Sequence, residues 1–357
     1  MHLAATQAAI THDANFADAW SNMGNCLKEL GRFDDAIRAY NRAIAIRPTF
    51  ADAYGNLASV YKDAGNLEAA IRYYRTSLDL KPGVVDAIAY CNLVHCLQTV
   101  CDWSDRDAVF ARTRDVIARQ MREGAVPAVQ PHHALVYPLP AAQQLEIAAH
   151  YAHAAWRNVA TMGLRPYAHD LAHEAGKSLA TAPRRRLRVG YVSSDLGNHP
   201  LSHLMQNVFA WHDARVFELF AYATSNDDGS EWRDTIKRGV EHFKVVTHLP
   251  HADLAALIRA DDIDVLVNLN GYTKGSRNEV RGWEAATHTR SAASHPAVFC
   301  RACVFWVSHD AQVFALTPAP IQVMYLGFPG SSGASYMQYF VTDRITTPPA
   351  LAGLFTE

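Results

Sequence analysis

A 34-residue period near the amino terminus limits this chain more than any other feature, because it sets the local architecture before composition is considered. Aligning Ala17–Phe50 with Ala51–Val84 pairs Trp20 with Tyr54, Met23-Gly24 with Leu57-Ala58, and Leu27 with Tyr61. It also pairs Gly31 with Gly65, Ala36 with Ala70, Tyr40 with Tyr74, and Pro48 with Pro82. Each position has a physical task. The small residues at 24 and 58 let two antiparallel helices approach. Gly31 and Gly65 end the first helix of each pair, and Pro48 and Pro82 stop the second.

The period and its signature are those of tetratricopeptide repeats. Leu3–Asn15 reads as the second helix of an earlier unit, and a third unit begins near Asp86. In that unit Tyr90-Cys91-Asn92-Leu93 falls two residues late, as if Ile88-Ala89 were inserted. The concave face of such a solenoid binds extended peptide. Asn22, Asn56 and Asn92 recur on the first helices and are candidate peptide-binding residues; the alternative is that they are solvated helix positions. Residues 1–100 are therefore assigned to repeats and 101–180 to a helical connector. The connector is expected to hold helices over Arg106–Arg122 and Ala141–Ala155, with a Pro-bounded loop, Gln130–Leu139, between them. His132 and His133 lie in that loop; neighbouring residues rarely face the same way, so at most one would enter a site.

From Leu187 short apolar runs alternate with helical segments, which predicts a parallel sheet covered by helices. The candidate strands are Leu187–Ser193, Phe217–Thr224, Phe243–Thr247, Val265–Asn270, Ile321–Leu326 and Tyr339–Thr342. The candidate helices are Ser202–Trp211, Glu231–Gly239 and Ala252–Ala260. Three polar turns follow strands: Asp195–Pro200, Asn270–Gly275 and Gly327–Gly333. Open α/β sheets gather their site residues at the carboxyl ends of strands. Glycines there let a ligand approach, and free amides bind phosphate. None of the turns is a GxGxxG or a P-loop, so neither a nicotinamide cofactor nor ATP hydrolysis is specified. The first turn carries a carboxylate and an imidazole, Asp195 and His199, four residues apart.

The net charge of −2 gives no basic excess for nucleic acid. No apolar run reaches the ~18 residues of a membrane helix, and the start has no signal-peptide pattern, so a soluble cytoplasmic and nuclear protein is expected. The 18 histidines are spread along the chain. Cys300 and Cys303 have metal spacing but no second pair, so no metal is expected.

Three segments carry a family resemblance: LRVGYVSSDLGNHPLSHLMQ (Leu187–Gln206), VLVNLNGYTKGSRNE (Val265–Glu279) and FALTPAPIQVMYLGFPGSSG (Phe314–Gly333). They resemble the protein O-GlcNAc transferases, as do the repeats, Cys91-Asn92-Leu93…Cys101-Asp102-Trp103 and the Gln130–Leu139 loop. The turns at His199–His203 and Asp228–Arg233 look closest to the plant and algal type. The resemblance implies tetratricopeptide helices followed by the first Rossmann-like half of a GT-B glycosyltransferase, over residues 181–357. It implies inverting transfer of N-acetylglucosamine from UDP-GlcNAc to Ser or Thr hydroxyls of intracellular proteins, with no cofactor beyond the donor substrate. Two alternatives are a non-catalytic repeat scaffold for extended peptides and a protein O-fucosyltransferase.

Position by position, the resemblance implies that His132 lies close to acceptor and sugar. It implies that Asp195 takes the hydroxyl proton through water and that His199 stands beside the donor, with Pro200 in the same turn. Tyr272 and Lys274 match the sugar and pyrophosphate side; Leu326, Gly327 and Pro329 match the wall around the N-acetylglucosamine. An inverting displacement needs help with the hydroxyl proton and with the departing diphosphate. Two departures from the family pattern are expected to matter. The chain reaches Glu357 soon after its first strand, so a second, nucleotide-holding half is expected to be absent and this polypeptide inactive alone. Val280–Gln312 intervenes between two segments that are contiguous in the family, and is read as an insertion, from a retained intron or gene-model error.

Overall fold

Apolar residues at helical spacing, with a small residue wherever two helices cross, produce the amino-terminal array. The helices are α1 (His2–His12), α2 (Ala17–Glu29), α3 (Phe33–Ile46), α4 (Ala51–Asp63), α5 (Leu67–Asp79), α6 (Ala87–Thr99) and α7 (Arg106–Arg122). A Cβ on Gly24 would lie 2.6 Å from the Tyr40 ring, so glycine here lets α2 and α3 meet over a fully buried tyrosine. Ala58 and Tyr74 repeat that buried pair one unit later. Gly31 and Gly65 adopt left-handed φ values of 72° and 82°, which ends α2 and α4 without a Cβ penalty. Starts at Ala17, Ala51 and Ala87 make the second interval two residues longer than the first, matching the slip seen in the sequence. Asp86 caps α6 by accepting from the amides of Ile88 and Ala89.

The computed structural model describes residues 2–81, 86–169, 185–273 and 309–357, in two units: one to Glu123, the other from Gly124 onward. Lys274, Cys300, Cys303 and most of the expected insertion lie outside the described residues. The second unit opens with a single helical turn, α8 (Pro131–Ala134), and a long helix, α9 (Ala141–Thr161). The Pro-bounded segment is thus not loop throughout, because Pro131 at the first helical position pre-sets the turn.

Strands β1 (Leu187–Ser193), β2 (Phe217–Ala223), β3 (His242–Val245), β4 (Val265–Asn268), β5 (Ile321–Tyr325) and β6 (Tyr339–Val341) form one parallel sheet. Its order is β3-β2-β1-β4-β5-β6. The chain therefore winds outward from β1 in one direction and from β4 in the other. That puts the topological switch point between β1 and β4, where doubly wound sheets open a crevice. The covering helices are α10 (Pro200–Met205), α11 (Glu231–Gly239), α12 (His251–Ala260) and α13 (His309–Ala315). The helix expected over Ser202–Trp211 starts earlier and breaks: His199 caps it, Pro200 takes its first position, and a separate 3-10 turn spans Phe209–Trp211. Val189, Tyr191, Leu219, Ala221, Val267 and Val323 form one of its two buried faces, under Leu201, Met205, Phe209 and Ile236.

The two ends of the sheet differ in chemistry. At the amino ends, Arg185 forks onto Asp264, Arg186 onto Glu241, and Arg188 pairs with Glu218. These ion pairs satisfy charge at that edge. At the carboxyl ends, serines, asparagines, Asp195 and glycines converge instead.

Candidate active site at the β1–β4 switch point

The turn after β1 is built by its own serines. The Ser193 hydroxyl accepts from the Asp195 amide at 3.0 Å. The Ser202 hydroxyl donates to the Asp195 carbonyl and accepts from the Gly197 amide at 3.2 Å, tying the turn to α10. The result holds Asp195 only 8% exposed, a burial a carboxylate tolerates only when its oxygens are hydrogen-bonded. They are: Oδ1 accepts from the Ser194 hydroxyl at 2.8 Å, and Oδ2 accepts from Asn270 Nδ2 at 2.6 Å.

His199 stands over this carboxylate, its Nδ1 3.6 Å from Asp195 Oδ2. That is too long for a hydrogen bond. Nδ1 instead accepts from the Leu201 amide at 3.2 Å. The neutral ring must then carry its proton on Nε2, an assignment made from the hydrogen bond. The side chain is 45% exposed and stands beside a buried carboxylate. Pro200 is exposed next to it.

The turn after β4 is tied to that after β1. Asn268 Oδ1 accepts from the amides of Asn270 and Gly271, both at 2.9 Å. Gly271 has φ 56°, and a Cβ there would meet Phe328 Cβ at 2.4 Å. The Tyr272 hydroxyl reaches the carbonyls of Ser332 at 2.7 Å and Ala148 at 3.1 Å, and its ring meets Phe328 edge-on at 5.3 Å. Burial pushes the phenol well above the usual tyrosine range. Tyr272 thus spends its hydroxyl inside the protein, holding the β4 and β5 turns against α9.

The turn after β5 packs backbone on backbone. A Cβ on Gly327 would fall 1.7 Å from the Leu269 carbonyl oxygen, so only glycine fits. Leu326 beside it has φ 63° and is 38% exposed, a left-handed leucine at the carboxyl end of β5. Such strain is kept where neighbours over-determine it. The same turn was expected to offer free amides to phosphate. Instead the Glu357 carboxylate sits there, accepting from the Ser332 amide at 2.6 Å and the Ser331 hydroxyl at 2.7 Å. Pro329 lies between this anchor and Gly327. On the far side a Cβ at Gly330 would meet Leu135 Cδ2 at 3.2 Å, which seats the α8 segment on the turn. His132 in that segment faces solvent on one side, and desolvation by the protein around it lowers its pKa.

The structure thus gathers Asp195, His199, Pro200, Tyr272, Leu326, Gly327 and Pro329 at one edge of one unit. Asn22, Asn56 and Asn92 lie on α2, α4 and α6 of the other unit, each half-buried. Asn92 Oδ1 already accepts from Lys62 Nζ at 3.1 Å.

Reasoning from the sequence missed three participants. Asn270 lay in a named turn and Ser194 just before another, but nothing in the spacing shows that Asn270 reaches across to Asp195 or that Ser194 turns its hydroxyl onto it. Arg233 is fully buried; its Nη1 donates to the Leu196 carbonyl at 2.9 Å and its Nη2 to the Ser225 carbonyl at 3.2 Å. It props the β1 and β2 turns together, with Asp227 3.5 Å from its Nε as a loose counter-charge. Among the described residues no group of three or more His, Cys, Asp or Glu is placed to hold a metal.

Comparison with known proteins bears on the family and the fold. The tetratricopeptide repeat profile matches residues 17–50 and 51–83, and that of glycosyl transferase family 41 matches 100–289 and 308–357. The chain is 42% identical, over 74% of its length, to a probable UDP-N-acetylglucosamine–peptide N-acetylglucosaminyltransferase (SEC) of Arabidopsis thaliana. It is 43% identical, over 73% of its length, to the UDP-N-acetylglucosamine–peptide N-acetylglucosaminyltransferase of Caenorhabditis elegans. It spans 23% and 20% of those two relatives' lengths. A solved mutant O-GlcNAc transferase of Thermobaculum terrenum aligns with a TM-score of 0.51 at 22% identity, over 99% of this chain and 52% of that one, which bears on the fold alone. With its repeats followed by a doubly wound sheet that the family profile matches, the chain belongs to glycosyl transferase family 41.

Proposed function

We propose that the protein takes part in moving N-acetylglucosamine from UDP-GlcNAc to Ser or Thr hydroxyls of protein substrates. The carboxyl ends of β1, β4 and β5 would supply the sugar and acceptor side of the cleft. The observation that carries this reading is Asp195: a buried carboxylate with a donor on each oxygen, held at the switch point. From that position it would draw the hydroxyl proton through one water as the sugar is displaced. His199 offers Nε2–H to the donor's oxygens as charge develops on them. Leu326, Gly327 and Pro329 wall the N-acetyl group, and Tyr272 holds that wall in place. The proposal assigns His132 a place near the acceptor, Lys274 the pyrophosphate side, and Asn22, Asn56 and Asn92 the backbone of an extended substrate. No metal takes part in the proposed reaction.

Ligand-observed NMR tests the reading. Saturating the 357-residue polypeptide should transfer signal to the N-acetyl and pyranose protons of UDP-GlcNAc. Uridine protons should receive less, since the resemblance places most nucleotide contacts in a second Rossmann-like half. UDP-glucose, lacking the N-acetyl group, should compete poorly. Saturation confined to the uridine would contradict the assignment of these turns.

A further inference from the structure

We infer that Asn270 is a positioning residue, whose side-chain amide, locked across the β1–β4 switch point, sets the orientation of the Asp195 carboxylate. The inference rests on the reading of Asp195 as the acceptor-side carboxylate.

Asn270 is fully buried, so both ends of its amide must be satisfied within the protein. Its Oδ1 accepts from the Ser194 backbone amide at 2.9 Å. A backbone N–H can only donate, so that end of the side chain must be oxygen and the amide cannot be flipped. The other end is therefore a pair of N–H donors. They reach Asp195 Oδ2 at 2.6 Å and the Ser194 hydroxyl at 3.1 Å, with Thr273 Oγ1 at 3.5 Å. The Ser194 hydroxyl, receiving from Asn270, turns its own proton to Asp195 Oδ1 at 2.8 Å. The carboxylate is gripped at both oxygens by one relay that starts from a backbone amide. That grip holds Oδ2 3.6 Å from the imidazole of His199.

The grip is also braced from behind. The Asn270 amide donates to Asn268 Oδ1, and the Leu269 amide to the Val192 carbonyl, so strand pairing itself sets where Asn270 stands. A side chain that only stapled two strands would have no need to place its donor on the one carboxylate of the turn.

Two variants and one set of signals separate positioning from stapling. Asn270→Ala removes both ends of the amide. Pairing Asn270→Asp with Asp195→Asn rebuilds the hydrogen bond with its donor and acceptor exchanged. The measurements are the unfolding midpoint, the carboxyl-carbon signal of residue 195 and the ring-nitrogen signals of His199, all on the 357-residue chain. Asn270→Ala is expected to lower the midpoint, shift and broaden the Asp195 carboxyl signal and move the His199 nitrogens. The exchanged pair is expected to recover the midpoint while the His199 nitrogens stay displaced. A folded Asn270→Ala protein with Asp195 and His199 signals at their wild-type positions would overturn the inference. Recovery of the His199 signals in the exchanged pair would do the same, since orientation of a carboxylate at 195 would then be irrelevant. Adding UDP-GlcNAc to the wild-type sample keeps the two ideas apart. If it leaves Asp195 and His199 unperturbed, the functional reading fails and the positioning stands. If it perturbs them while Asn270→Ala does not, the reverse holds.

Discussion

Leu326 holds a left-handed backbone conformation next to a glycine that packs against the β4 turn. A left-handed leucine costs about 1 kcal/mol or more of backbone strain, and glycine there would relieve it. Glycine also costs about 0.5–1 kcal/mol through the freedom of the unfolded chain. The two terms offset, so Leu326→Gly should change stability by less than about 1 kcal/mol in urea unfolding. It should nevertheless weaken UDP-GlcNAc binding, because the proposed function makes this side chain part of the wall around the sugar. Tyr272 is the opposite case. Its hydroxyl is bonded inward, so Tyr272→Phe should cost about 1–3 kcal/mol by removing the buried donor that serves the Ser332 carbonyl. His132 should titrate below the ordinary histidine value of about 6.5, because burial disfavours its charged form. The sign follows from linkage: its contribution to stability is complete above about 6.5 and is lost as pH falls through the lower folded value. Imidazole proton shifts followed against pH check this.

Elements were more legible than their joints. The repeat period located α2 to α5, because packing forces a small residue at the same place in every unit. Gly24→Ala should therefore overpack Tyr40 and cost about 1–3 kcal/mol in thermal unfolding. All six strands lie within the runs anticipated or one residue outside, since continuous apolar runs are what a doubly covered sheet demands. What the pattern could not give was contact across elements. Nothing local marks Arg233 as the cation under two turns, or Glu357 as the anion in a third. The break in the helix after Pro200 was likewise hidden, because the Ser202–Trp211 run is apolar enough to continue on paper. The described cysteines extend the point. Burial raises the Cys91 thiol to about 12 and Cys96 to about 11, while Cys101 is exposed. Thiol labelling of the native protein near neutral pH should therefore mark Cys101 and spare Cys91 and Cys96 until unfolding.

At the scale of the molecule, strand order decides where chemistry can occur. Winding out from β1 and β4 leaves one switch point, and the turns on either side of it carry Asp195 and Asn270. The Arg185, Arg186 and Arg188 ion pairs sit at the amino ends of the same strands, away from that switch point. The central claim is that the carboxyl ends of β1, β4 and β5 form a sugar-binding edge. Amide and methyl chemical-shift mapping of the 357-residue chain with UDP-GlcNAc tests it most directly. The account predicts perturbations clustered on residues 194–200, 270–273 and 326–333, with little change along the amino ends of the strands. Perturbations centred elsewhere on the sheet, or none at millimolar donor, would contradict it.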